Sequence, residues 1–557
     1  MESIFNWSPL SQRKLCTNKT SVTKTDQGDL YPNCDVNIWL RSCEKEIIDP
    51  IQGKVTGSIP TWLNGCLLRN GPGSLKVGKM EFKHLFDSSA LLHRFAINNG
   101  NVTYQCRFLQ SEVYKKNNAA QRIVVTEFGT ASVPDPCQTI FRKIAASFDP
   151  NNESDNAMIS VYPFGDEIYA FTETPFIHRI NKLTLENEQR LDISKYVTII
   201  NHTSHPHVTS DGTVYNLGMS ITKCGLTHNI IRFPEKALED SDELSIFKQA
   251  QIVATVPARW ILNPSYMHTF GITDNYFVIV EQPFSINALS VLKNKIFNEP
   301  MAKNFRWYQD EMTQIHIISK KTGFTAYKFY SEPFFYLHII NQYEISDHIV
   351  LDICCYRDPS MLDCMYVEAM KHVQSNPDYA KMFRGRPFRF ILPLKVQNNT
   401  ANENLITLPN TDAQAYFLSN GKIFVRPEQL CDLGCETPRI YYEKHLAKEY
   451  RYFYAISSDV DCSNPGSIIK VDINNKKAIT WNETNCYPSE PIFVPNPDCK
   501  FEDDGIILSA MIWGREETNK VGLLVLDART FVELGRAVFE TAGPVPKCLH
   551  GWFASSQ

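Results

Sequence analysis

The chain has 557 residues, of which 43% are hydrophobic and 12% aromatic, and its formal net charge is -5. This composition supports a sizeable core and excludes a largely disordered chain, and the slight acidity, with no basic run, gives nucleic-acid binding no electrostatic support. No stretch approaches the ~20 apolar residues needed to cross a bilayer, so a soluble or membrane-surface protein is expected.

The N-terminal segment MESIFNWSPLSQRKL has no charged run followed by an apolar core. It does not read as a secretory signal, and a cytoplasmic chain keeps its cysteines reduced. Most of the sixteen cysteines stand alone in apolar stretches, as Cys354 and Cys355 do in IVLDICCY, and read as small buried hydrophobes. Cys431 and Cys435 have no second pair at zinc spacing, which argues against a structural zinc. Residues 1–45 are polar and read as a loosely ordered lead-in, and 46–557 as one domain.

From about residue 60, short runs rich in Val, Ile, Tyr and Phe alternate with turn signals. Asn98-Asn99-Gly100-Asn101, Asp211-Gly212, Asn420-Gly421 and Asp504-Gly505 each punctuate such runs, as hairpins do. The pattern predicts an all-β protein of many short antiparallel strands, a propeller or a large barrel, without a WD or kelch repeat of fixed period. Two segments break it. After Pro134-Asp135-Pro136-Cys137, residues Ile140, Phe141, Ile144, Ala145 and Phe148 form one helical apolar stripe. Further on, Phe284, Ile286, Leu289, Val291 and Leu292 precede Lys293, Asn294 and Lys295. Each segment is either packed on the core or a membrane-surface patch with basic residues at the headgroups. In the second case Cys137 is a candidate for palmitoylation.

Of fourteen histidines, four stand out by context: His205 in TSHPH, His268 in PSYMHTFG, His338 in FYLHIIN and His550 in CLHGWF. Similar places on successive strands converge on an axis, which assembles a metal site without a short motif. Residues at strand ends with satisfied polar groups are the alternative.

The blocks LNGCLLRNGPG (63–73), HLFDSSALLHRF (84–95), RIVVTEFGT (122–130), VPDPCQ (133–138), TETPFIHRIN (172–181), HPHVTSDGTVYNLG (205–218), PSYMHTFGIT (264–273), YPSEPIFVPNP (487–497), EDDGIILS (502–509) and LHGWF (549–553) resemble the carotenoid cleavage oxygenase superfamily. The likeness runs from about residue 45 to the end and is greatest to the animal branch, insect isomerooxygenases above all. It implies a seven-bladed β-propeller with a helical and loop dome over its top face. It also implies one Fe2+ held by His205, His268, His338 and His550. His202 and His207 compete for the first place, and His205 is preferred because the family element is a histidine followed by proline. The likeness further implies supporting glutamates at Glu173, Glu436 and Glu490, with Glu436 in surroundings that depart from the family segment. Neutral imidazoles suit Fe(II), and a carboxylate behind a ring fixes its tautomer and orientation. Three glutamates for four rings leave His205 to be held by other groups.

The implied reaction is O2-dependent cleavage of a carotenoid at the central 15,15′ double bond into retinal-type aldehydes, with coupled trans-to-cis isomerisation, a route to a visual chromophore. Phe128, Thr172 and Tyr266 are the implied substrate-lining residues. A substrate that barely dissolves in water implies a monotopic protein on an intracellular, ER-type membrane. Cys137, Ile140, Phe141, Ile144, Phe148, Phe284 and Leu289 are the contact candidates. A retinoid isomerohydrolase, eccentric 9′,10′ cleavage and a non-catalytic carotenoid binder stay open as alternatives.

Overall fold

The computed structural model describes residues 28–133, 153–223, 225–236, 242, 244–396 and 403–556. Seven sheets, antiparallel but for the parallel pairing of Thr325–Ser331 with Ile423–Arg426, follow one another along the chain as the blades of a propeller. The strand of each blade nearest the axis is Gly551–Ser555, Ser160–Phe164, Asn201–His202 with His207–Val208, Gly271–Ile272, Phe335–Ile345, Glu436–Arg439, and Cys486–Pro488 with Ile492–Pro495. Several of these inner strands touch across blade boundaries.

The turn chemistry accounts for the meander within blades. Asn99 and Gly100 take φ of 47° and 77°, the left-handed pair that a two-residue hairpin needs, and join Ser89–Asn98 to Asn101–Phe108. Gly212 and Gly421 also take positive φ, between His207–Val208 and Val214–Thr222 and between Gln414–Phe417 and Ile423–Arg426. The blades are apolar on both faces. Val278 and Ile317 of one blade, Ile349 and Leu351 of the next, and Phe453 and Val471 of the one after merge into a single buried cluster.

The ring closes twice. The C-terminal strand Gly551–Ser555 pairs with Gly65–Arg69 in the first blade, and the N-terminal strand Lys54–Gly57 pairs with Gly535–Val538 in the last. Neither end of the ring is left as an open sheet edge. Three excursions build the dome among the described residues: 109–133 with 153–159 between the first two blades, 282–312 within the fourth, and 357–385 within the fifth. The second contains the ribbon Phe284–Ile286 with Phe305–Trp307 and the helix Ala288–Phe297, which is capped by the Asn287 side chain on the Ser290 N–H.

Packing begins earlier than the polar character of residues 1–45 suggests. Tyr31, Cys34 and Ile38 are buried, because the lead-in carries enough apolar side chains to pack against the dome and the last blades. Cys137, Ile140, Phe141, Ile144 and Phe148 lie outside the described residues. Phe284 does not reach a surface: it is buried and stacks on Phe305 at 4.8 Å, because it sits in the ribbon ahead of the helix. Leu289 is 59% exposed, on the helix itself. The thirteen described cysteines are all free. No described helix is long and apolar enough to cross a membrane.

Gly57 ends the N-terminal closing strand at φ +74°, where an added Cβ meets the Leu534 carbonyl at 2.4 Å. Gly57→Ala is expected to cost about 1–3 kcal/mol, read as a lower unfolding midpoint in denaturant. An unchanged midpoint contradicts a role for this turn in closure.

Candidate metal centre

Four histidines meet on the axis. His205 lies between Asn201–His202 and His207–Val208, and His268 shortly precedes Gly271–Ile272. His338 sits inside Phe335–Ile345, where the register against His348–Tyr356 slips between Tyr336 and Ile339. A bulge there turns a strand side chain toward the axis. His550 immediately precedes Gly551–Ser555. The ring centroids are 4.6 Å apart for His205–His268, 4.7 Å for His205–His550, 5.0 Å for His205–His338 and His338–His550, and 5.1 Å for His268–His338. All four are buried.

Their outer nitrogens are engaged. The Nδ1 atoms of His268 and His338 lie 2.6 Å from Glu173 Oε1 and Glu436 Oε2, and that of His550 lies 2.9 Å from Glu490 Oε1. His205 Nδ1 faces no carboxylate, but the Tyr162 hydroxyl at 3.4 Å. A carboxylate accepts, so Nδ1 of these three rings donates and Nε2 keeps its lone pair. His338 Nε2 is buried with no partner among the described residues. His205 Nε2 and His268 Nε2 face each other at 3.0 Å, close enough for one cation to engage both. Ligand atoms of His205, His268 and His338 lie within 4.8 Å of one another, and the His550 ring completes the cluster. Nitrogen donors with carboxylates behind them suit a divalent transition metal, iron included.

Electrostatics keep the rings competent as ligands. Burial, reinforced by the neighbouring histidines, holds His205 well below the usual imidazole range. Burial also brings His550 down to about 4. Glu490 is held below the usual carboxylate range against the effect of its burial, by Arg439, His550 and Arg69. His338 does the same for Glu436.

The two competing histidines are used elsewhere. His207 contacts the Phe270 carbonyl through Nε2 at 2.8 Å and the Tyr442 hydroxyl through Nδ1 at 3.2 Å. His202 Nδ1 lies 2.9 Å from the Thr203 carbonyl. Tyr162, Arg69, Arg439 and Gly551 belong to the centre although sequence reasoning did not single them out. Arg69 stands in the apolar run GCLLRNG, and a charge there is the one signal that marked it. Gly551 is required by contact: a Cβ on it meets the Leu68 carbonyl at 2.2 Å and Arg69 Cδ at 2.6 Å. Its N–H donates to Glu490 Oε2 at 2.9 Å.

The centre opens into a cavity of about 1810 Å³ between propeller and dome, lined by Phe128, Thr172 and Tyr266 among others. The Tyr266 hydroxyl donates to Glu173 at 2.8 Å, so Tyr266 both lines the cavity and steadies the support of His268. Tyr266, Phe305, Phe128 and Phe86 form a row with successive ring separations of 5.6, 5.8 and 5.8 Å. At the mouth, the lining residues Ile221, Ile261, Leu262, Leu292, Ile296 and Phe297 are exposed to solvent.

Residues 40–555 match the family described as retinal pigment epithelial membrane protein. Carotenoid isomerooxygenase of Drosophila melanogaster is 51% identical, over 95% of this chain and 94% of its own. That of Galleria mellonella is 55% identical, over 95% and 98%. Beta,beta-carotene 15,15'-dioxygenase of Gallus gallus is 39% identical, over 92% and 96%. Among solved structures, cobalt-substituted Synechocystis ACO superposes with a TM-score of 0.72 at 21% identity, over 94% of this chain and 99% of that one. The propeller fold is therefore shared at low identity.

Outside the four clustered rings, burial brings His84 and His207 down to about 4. The unfolded chain titrates near 6.5, so between those values it binds more protons than the folded one. Stability is then fully present above about pH 6.5 and falls as pH drops toward 4. Thermal midpoints across this window are expected to fall with acidification, and less steeply in His207→Gln. A parallel dependence in the variant contradicts the assignment.

Proposed function

The chain belongs to the retinal pigment epithelial membrane protein family, and on that premise we propose that it is an Fe(II)-dependent carotenoid isomerooxygenase. It cleaves a carotenoid at the 15,15′ double bond with O2 into two retinal-type aldehydes and turns one product to a cis form, a source of visual chromophore. The observation that carries this reading is the meeting of four buried imidazoles at the head of a long aromatic cavity. The names of the insect and vertebrate relatives support the substrate class.

His205, His268, His338 and His550 hold the metal through Nε2, and Glu173, Glu436 and Glu490 keep each partner ring in the Nδ1–H tautomer. Iron bound there supplies activation of O2 for addition across the double bond. The row from Tyr266 to Phe86 gives the polyene flat apolar faces to lie against, and such faces stabilise transient positive charge on it. Thr172, beside Glu173, abuts the substrate near the rings. The dome shuts water out of the reacting end.

A water-insoluble substrate enters from a bilayer, and we propose the cavity mouth as the contact with an intracellular membrane. Ile261, Leu262, Leu292 and Phe297 dip into the acyl boundary, and Lys293 and Lys295 stand at the headgroups. Cys137, which lies outside the described residues, remains a candidate for acylation.

Incubation with one all-trans carotenoid under isotopically labelled O2 is expected to label both aldehydes and give a cis isomer. Unlabelled aldehydes contradict a dioxygenase. His338→Ala is expected to abolish turnover, and Glu490→Gln to lower iron affinity or activity ~10–100-fold.

Replacing Leu292 and Phe297 together by Ser is expected to release the protein from liposomes with its thermal midpoint unchanged. Binding that persists places the membrane contact elsewhere.

A further inference from the structure

The three supporting glutamates are not electrostatically alike. Glu173 takes its hydrogen bonds from the His268 ring and the Tyr266 hydroxyl. Glu436 takes its from the His338 ring and the Thr437 N–H, beside the Tyr356 hydroxyl. Among the described residues the ion pairs of these two glutamates are with their histidines alone. Glu490 instead lies between two guanidiniums. Arg69 Nη1 donates to Oε2 at 2.8 Å and Arg439 Nε to Oε1 at 2.8 Å. The Arg69 and Glu490 side chains are 0% and 2% exposed, and Arg439 is 11% exposed.

Arg439 also reaches the fourth histidine. Its Nη2 donates to the Gly551 carbonyl at 2.8 Å, and the guanidinium lies against the Tyr162 hydroxyl, which faces His205 Nδ1. One side chain therefore stands behind His550 and His205, the two rings that receive no uncompensated carboxylate. The supports carry three negative charges, and the two arginines offset two of them. A buried positive charge close to a metal opposes a further positive charge on it, and the opposition is strong because water does not screen it.

We propose that Arg439, backed by Arg69 on Glu490, is a positioning residue that sets the charge behind the metal and holds it in the divalent state. This rests on the four-histidine iron reading above. The glutamates at His268 and His338 push electron density toward the metal, and the arginine pair cancels that push on the opposite side. The arginine pair would thereby disfavour oxidation of a bound Fe(II) by O2.

The test is the Fe(III)/Fe(II) potential of full-length protein loaded with Fe(II) alone and equilibrated with redox mediators, the ferric fraction being read by electron paramagnetic resonance. Arg439→Gln is expected to shift the ferric-to-ferrous ratio at a fixed potential about tenfold toward ferric, which is about 59 mV for a one-electron couple. Arg439→Lys, which keeps the charge, is expected to stay near the parent. Arg439→Gln in a Glu490→Gln background removes the charged groups together and is expected to give the same downward shift relative to Glu490→Gln alone. This second comparison serves if the single variant does not fold. An unchanged potential in protein that binds Fe(II) overturns the role of Arg439 and leaves the centre standing. Failure of the parent to bind Fe(II) overturns both.

Discussion

Four imidazole rings packed together on one axis, with three outer nitrogens already bonded to carboxylates, turn their inner nitrogens toward one another and leave that of His338 with no partner among the described residues. That constraint organises the rest of the molecule. Buried polar atoms are costly unless paired, so the cluster calls for a cation at its centre. Rings from four different blades stay in register only if the propeller is closed and rigid. The paired terminal strands supply this closure, and one of them carries His550 at its start. The same strand that seals the ring therefore completes the metal cluster.

The supports follow from that closure. Glu436 opens an inner strand, Glu490 lies between two short inner strands, Tyr162 lies on the innermost strand of the second blade and Glu173 between two of that blade's strands. Every blade thus contributes either a ring or the group behind one. Gly551 shows how little slack remains: backbone of the first blade and the Arg69 side chain press on it, and its N–H also binds Glu490. Ring, support and closing strand are one packed unit, so a change in any of them reaches the histidine cluster.

Above the centre the dome adds what the propeller lacks, an apolar space with an aromatic wall and an exposed apolar mouth. The helix Ala288–Phe297 divides these tasks along a short segment. Phe284, ahead of it, packs inside against Phe305, and Leu292 and Phe297 on it face outward. The apolar run in the sequence placed Phe284 and Leu292 in one patch with Ile286, Leu289 and Val291. Phe284 sits in the ribbon strand and Leu292 on the helix that Asn287 caps, so the two fall on different elements and on different sides.

Much was legible in the sequence. Alternating apolar runs with Asn-Gly and Asp-Gly turns specify hairpins, because those dipeptides accept the left-handed backbone that short turns demand. Flanking blocks singled out four histidines and three glutamates, and the structure brings all seven together. Other features depended on tertiary contact. Which of His202, His205 and His207 faces the axis is decided by where the other two find partners, Thr203 for one and Phe270 with Tyr442 for the other. The pairing of Glu490 with Arg69 and Arg439 joins residues from opposite ends of the chain, and Tyr162 takes its place behind His205 only because the second blade lies beside the third. Local sequence determined strands, turns and the chemical kinds of ligand, since these depend on neighbours along the chain. Ring closure alone decided which charges stand behind the histidine rings, since it sets the distances between residues far apart in sequence.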